Sequence, residues 1–187
     1  MYMFFAFGVR LWTTAFLVRE FPGVTLSSAA FHAVFWINLG AFLGLFATAR
    51  VLDRVGDRRP RIRLEASALG FLLCIAPMLA VAYAPTFSIC CAALFVLGLT
   101  EGVYEAAHYP AMFDCVEPRY RSATTGITGC MAFLIGSGAP ALLGWMGEKF
   151  SMRLSLASIS IFLLAGALIL VPAICRYFKN DYIGATR

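Results

Sequence analysis

Within a long apolar stretch of this 187-residue chain, Glu101, Glu105 and His108 stand at i, i+4 and i+7. That spacing places all three on one face of a helix, with Tyr104 beside them. Two carboxyl groups and an imidazole so arranged can bind a polar solute, exchange a proton or sit in ion pairs. A charge near the middle of a bilayer costs roughly 2.5 kcal/mol or more, so such groups face a partner, a cavity or water. Counted from a helix centre near Gly98, Glu101 lies about 5 Å and Glu105 about 10 Å toward one membrane surface, with His108 close to the interface. The competing role is structural, an ion pair or a carboxyl bonded to another helix.

Arg10 is the second outlier, near the middle of the first apolar run. It can pair with Glu101 at similar depth or hold an anionic solute through two parallel hydrogen bonds. Asn38 and His32 in the second run, with Trp12 and Thr14 in the first, are candidates to line the same cavity. His32 sits near the outer end of its run, where packing accounts for it.

These residues need a scaffold that keeps them out of lipid. Hydrophobic residues make up 61% of the chain and charged residues 13%, against roughly 25% charged in soluble domains. So few charges cannot solvate the surface of a small globule. The apolar residues gather into six runs, at about 3–20, 26–49, 65–84, 87–109, 122–146 and 152–176, with 177–187 left as a tail. Each is long enough to cross a hydrocarbon core of about 30 Å as a helix. The runs are too long and too little alternating for barrel strands. The expected fold is therefore all-α, a multi-pass bundle of six transmembrane helices.

The breaks between runs have turn chemistry. Phe21-Pro22-Gly23 ends the first helix, and Ser27-Ser28 can cap the second. Ala84-Pro85-Thr86 turns between the third and fourth, Pro110 marks the foot of the fourth, and Ser151 can cap the sixth. No basic region precedes the first run, so no cleavable signal peptide is expected. The chain opens almost inside a helix and reads as a piece lacking an upstream portion.

The net charge of +5 follows from topology. Arg50, Arg54, Arg58, Arg59, Arg61, Arg63, Arg119, Arg121, Arg176, Lys179 and Arg187 fall on one side. Only Arg19, Lys149 and Arg153 fall on the other. The rich side is expected to be cytoplasmic, with both termini there, in a plasma or inner membrane. Nucleic acid is not an expected partner, since the basic residues cluster at helix ends rather than on one surface. The six cysteines form no Cys-x-x-Cys pair and lie mostly in apolar runs, so buried thiols are expected, with no metal and no cofactor.

The densest motif is Arg50-Val51-Leu52-Asp53-Arg54-Val55-Gly56-Asp57-Arg58-Arg59-Pro60, placed in a short loop between the second and third helices. Asp53 can accept from helix N-termini or pair with an arginine, and Gly56 allows a tight reversal. Such a lock would hold one conformation and open in another. The same residues equally suit a plain positive-inside anchor. Further on, Gly126, Gly129, Gly136, Gly144 and Gly147 put small surfaces along the fifth helix for close packing, and Pro140 can kink it.

The pattern Asp53-Arg54-x-Gly56-x-Arg58-Arg59 between second and third membrane helices resembles the loop signature of the major facilitator superfamily. A glycine usually stands four residues before the aspartate, where this chain has Ala49. Pro118-Arg119-Tyr120-Arg121-Ser122-Ala123-Thr124-Thr125-Gly126 resembles the opening of the fifth helix in that family's C-terminal half. Gly136-Ser137-Gly138-Ala139-Pro140 and Gly144 are similar to the spacing further along it. The resemblance spans nearly the whole chain in helix count and order. It implies half of a transporter whose two six-helix halves enclose a path and expose it to either side in turn. The partner would be the missing N-terminal half or a second copy.

The function expected is secondary active transport of a small polar or anionic organic solute, proton-coupled or not, with no enzymatic step. Arg10, Glu101, Glu105, His108, Tyr104 and Asn38 would form the substrate or proton pathway. Asp53, Arg54, Gly56, Arg58 and Arg59 would gate the cytoplasmic side, and Gly126, Gly136, Pro140 and Gly144 would pack helices. One rival is an intramembrane serine hydrolase using Ser137 and His108, but these should differ widely in depth. The other is a membrane scaffold that moves nothing.

Overall fold

The computed structural model describes residues 1–56, 59 and 61–177, and the described residues are helical with no strand. Seven helices follow in order: α1 Tyr2–Glu20, α2 Leu26–Gly56, α3 Arg61–Ala82, α4 Phe87–Phe113, α5 Arg121–Gly136, α6 Ala139–Lys149 and α7 Met152–Pro172. A short π-helical turn, Ala173–Tyr177, continues α7.

Among the described residues, five helical segments are long and apolar enough to cross a bilayer: α2, α3, α4, the stretch from Pro118 through α5 and α6 to Lys149, and α7 with its extension. The sixth expected span, α1, is not among them. It is 19 residues long, so length is not the obstacle. Every 18-residue stretch of it contains both Arg10 and Arg19, which offset its apolar residues. Large apolar side chains lie exposed around the outside, including Phe31, Phe42 and Phe46 on α2 and Leu134 on α5. Such a girdle belongs in lipid, and the fold is that of a membrane-embedded protein.

Three boundaries differ from the sequence expectation. The acidic-basic motif is not a loop as far as Gly56: α2 runs through Asp53 and Arg54 and ends there. The reversal is thus shorter than expected, since α3 already begins at Arg61. The cap of α2 comes from Thr25, whose hydroxyl accepts from the Ser28 amide at 3.3 Å, rather than from Ser27-Ser28. The expected fifth span is two helices, broken at Ser137-Gly138. Pro140 has no N–H and its ring crowds the carbonyl four residues back, so the helix stops and restarts with proline in its first turn. The Ser151 cap is as expected, accepting from Leu154, and Thr86 of the expected turn also caps α4 by accepting from Ile89. Gly23, at φ +91°, supplies the left-handed turn after α1 that L side chains disfavour.

The tightest packing joins α2 to α4. Each carries a Gly-x-x-x-Gly pair, Gly40/Gly44 and Gly98/Gly102. A Cβ built on Gly98 would collide with the Ile37 carbonyl, and one on Gly44 with the Leu99 carbonyl. Missing side chains let two backbones touch, and in lipid such close contact drives helix association. On its other sides α4 packs against α3, while α3 also packs against α7 and α1 lies across α5, α6 and α7. No disulfide joins the described cysteines. Cys74, Cys90 and Cys91 are buried as expected, whereas Cys130 and Cys175 are exposed.

Candidate functional site: a bridged carboxylate pair between α1 and α4

With its glycines against α2, α4 turns Glu101, Tyr104, Glu105 and His108 toward α1 and α3. The nearer wall of α3 offers Gly70, where a Cβ would stand 2.8 Å from the Tyr104 backbone nitrogen. Phe71 packs tilted against the Tyr104 ring at 4.6 Å between centroids, and His108 stacks on the same ring at 4.9 Å. Cys74 donates to Thr100 at 3.3 Å.

From α1 come the two groups that complete the site. Arg10 Nη2 lies 3.0 Å from Glu101 Oε1. The Tyr2 hydroxyl lies 2.8 Å from the same oxygen and 2.5 Å from Glu105 Oε1. Its ring lies tilted against Tyr104 at 4.6 Å between centroids. Arginine and tyrosine two turns apart reach one carboxylate because the long Arg10 side chain, leaning toward the helix N-terminus, extends back toward Tyr2. The placement of α1 is set by α5 and α6. Gly136 receives Met3, Gly144 receives the Trp12 ring, and Trp12 Nε1 donates to the Pro140 carbonyl at 3.0 Å.

Burial is asymmetric. The Glu101 side chain is 0% exposed and that of Arg10 is 37% exposed. The second oxygen of Glu101, Oε2, is buried with no hydrogen-bond partner. A cavity of about 220 Å³ adjoins the cluster, walled by Tyr2 and Met3 of α1, Tyr104, His108 and Met112 of α4, and Thr125, Thr128 and Gly129 of α5.

Proton counting constrains the bridge. Tyrosine has one hydroxyl proton, yet its oxygen sits within hydrogen-bond distance of two carboxyl oxygens. Both contacts are hydrogen bonds only when one of the carboxyls carries a proton. The arrangement can therefore pass a proton between Glu105 and Glu101 through Tyr2, and it can hold or release the Arg10 guanidinium.

Arg10, Glu101, Glu105, Tyr104 and His108 thus meet. Asn38 does not join them: it is exposed on α2 and donates to the Val34 carbonyl of its own helix at 2.7 Å. Gly126 packs against nothing, with no atom within 4 Å of a Cβ built on it. Ser137, of the hydrolase reading, gives its hydroxyl to the Leu134 carbonyl at 2.8 Å. Asp53, Arg54 and Arg59 are exposed, and no ion pair among the described residues includes them. Arg58 and the tail from 178 onward lie outside the described residues. The ion pair that does form near this motif is Arg63 with Asp114, at 2.8 Å, tying the start of α3 to the end of α4. Arg63 also covers Gly56, which has no side chain to block it.

Sequence reasoning missed Tyr2, the Arg63–Asp114 pair and the glycine crossing of α2 on α4. The glycines carried a readable signal, two Gly-x-x-x-Gly spacings inside apolar runs. Tyr2, at the edge of an aromatic-rich run, had none. Among the described residues no three His, Cys, Asp or Glu side chains gather to hold a metal ion. Compared with known proteins, the chain matches no family model, no curated protein and no solved structure.

Proposed function

We propose that this chain is one half of a secondary transporter for a small polar or anionic organic solute, working by alternating access. The observation that carries this reading is Glu101, fully buried with one oxygen unpartnered and held by an arginine that is itself partly open. The open side of Arg10 leaves its guanidinium accessible to a solute while Glu101 stays shielded. A pair left half open can exchange Arg10 for a solute.

On this reading α1 also crosses the bilayer, making six spans. Its 19 residues cover about 28 Å as a helix, and pairing with Glu101 lowers the cost of Arg10 at depth. The packing order supports a facilitator-like half. The contact of α2 with α4 is echoed by α1 with α5 and α6, and that of α3 with α4 by α7 with α1. Such exchange of the first three spans with the last three is the pattern of inverted repeats. The other wall of the path would be a second six-helix unit, either a separate half or a second copy. Both ends of the chain would face the cytoplasm of a plasma or inner membrane. Neither cofactor nor covalent chemistry enters.

The test is uptake of labelled short-chain carboxylates, sulfonates and phosphate monoesters by membrane vesicles carrying the chain. Uptake above that of empty vesicles, lost in Arg10→Gln and Glu101→Gln at normal membrane insertion, supports the proposal. Inserted, folded chain that moves none of the panel and is thermally stabilised by none of it would sink the transport reading in favour of a scaffold.

A further inference from the structure

We infer that the Glu105–Tyr2–Glu101 bridge holds one carboxyl proton and delivers it to Glu101 when Arg10 leaves for an anionic solute, so that solute and proton move together. The inference rests on the transport reading and names its coupling ion and its relay.

Three oxygens make the bridge. The Tyr2 hydroxyl spans two carboxyls, 2.8 Å from one and 2.5 Å from the other. Its single proton can serve only one contact. Glu101 Oε1 already accepts from Arg10 at 3.0 Å, which marks it as the ionised partner and the acceptor of the Tyr2 proton. The remaining proton then lies between Glu105 and the Tyr2 oxygen. The proton belongs to the coupled pair rather than to one residue in isolation.

Other groups facing the bridge are few. From α1 they are Tyr2 and Arg10. On α4, Tyr104 and His108 interact electrostatically with Glu105. From α3, Cys74 interacts with Glu101. Arg10 is the sole fixed cation in this set. When it swings to an anion in the path, Glu101 would be left as a buried carboxylate, its Oε2 already without a partner. An unpaired buried charge is costly, so Glu101 must gain a proton for Arg10 to leave.

The bridge supplies that proton without rearrangement. The O–H bond of Glu105 breaks as a new one forms on the Tyr2 oxygen. The original Tyr2 proton forms an O–H bond on Glu101 Oε1. Glu105 ends ionised, Glu101 neutral, Tyr2 unchanged and Arg10 free, with total charge conserved. Glu105 is then reloaded by a proton from the cavity beside Tyr2 and His108. One proton thus enters for each anion that occupies Arg10.

The test is infrared spectroscopy of the purified chain in lipid nanodiscs at neutral pH. Wild type should show a protonated-carboxyl carbonyl band that is lost in Glu105→Gln and shifts in Tyr2→Phe, which keeps the ring and removes the relay. Absence of the band in wild type overturns the inference. So does a band that survives in Glu105→Gln and disappears in Glu101→Gln. Thermal melting identifies any variant that fails to fold, in which case the Tyr2→Phe shift decides. In vesicles, an inward proton gradient should accelerate uptake of the carboxylates above by wild type, and this stimulation should vanish in Glu105→Gln. Uptake indifferent to the gradient overturns the coupling. Vesicles that take up nothing, from a chain that none of the panel stabilises thermally, refute the transport reading instead, and the infrared band still decides the proton.

Discussion

The guanidinium of Arg10 on α1 stands 3.0 Å from Glu101 on α4, a partner 91 residues further along the chain. The contact gives the fully buried Glu101 a cation partner in an apolar surrounding. Glu101 depends on it more, because it is fully buried and Arg10 is not.

That dependence gives an asymmetric prediction. Arg10→Gln leaves Glu101 buried without its cation and should lower stability by about 2–3 kcal/mol, less than for a pair buried on both sides. The double variant Arg10→Gln with Glu101→Gln should be more stable than Arg10→Gln alone. Thermal melts in detergent measure both, and a double variant weaker than either single one would contradict the pairing as described.

The glycine crossing predicts a contrast between two helices. A methyl group at Gly98 meets the Ile37 carbonyl and forces α2 away from α4, so Gly98→Ala should cost about 1–3 kcal/mol and Gly98→Leu should prevent folding. Gly126 has open space around it, so Gly126→Ala should be neutral or gain up to about 1 kcal/mol in helix propensity. Equal losses at the two positions would refute the packing assignment.

Asp114 lies just beyond α4, outside the span, and titrates with a definite sign. Burial pushes its carboxyl above the usual carboxylate range, and the Arg63 guanidinium at 2.8 Å pulls it back only in part. The folded chain therefore binds that proton more tightly than the unfolded chain. Its share of stability is whole below the unfolded value of about 3.9 and is lost as pH rises through the folded value. Asp114→Asn escapes that loss, so its melting temperature relative to wild type should climb with pH across this window. A flat or falling difference would speak against it.

Orientation has a chemical readout. Cys175 is exposed in the π-helical turn that ends the last span, next to Arg176 on the arginine-rich side. In a variant retaining only Cys175, a membrane-impermeant maleimide should label opened membranes and leave intact cells unlabelled. Labelling of intact cells would invert the proposed topology.

Much of the scaffold was legible because lipid imposes long apolar runs, and runs show in a sequence one residue at a time. Glu101, Glu105 and His108 were legible as one face because helical spacing is local. The break at Ser137-Gly138 was half visible: Pro140 signalled a kink, but whether a helix bends or stops depends on what packs around it, and here Met3 of α1 sits against Gly136 and Trp12 donates to the Pro140 carbonyl. Asn38 looked suited to the path by type and depth, yet nothing local tells which way α2 is rotated. Gly40 and Gly44 settle that rotation by meeting α4, and the same rotation turns Asn38 outward.

Composition and run length by themselves determined that this protein has lipid for its solvent, because backbone polar groups in hydrocarbon must be satisfied within helices. They also determined that its few deep charges would need company. Which company was decided by tertiary structure. Tyr2 meets Glu105, and Arg63 rather than an arginine of the conspicuous motif meets Asp114. Pairings between helices depend on crossing points and rotations fixed by close backbone contact, and those arise only when the whole bundle packs.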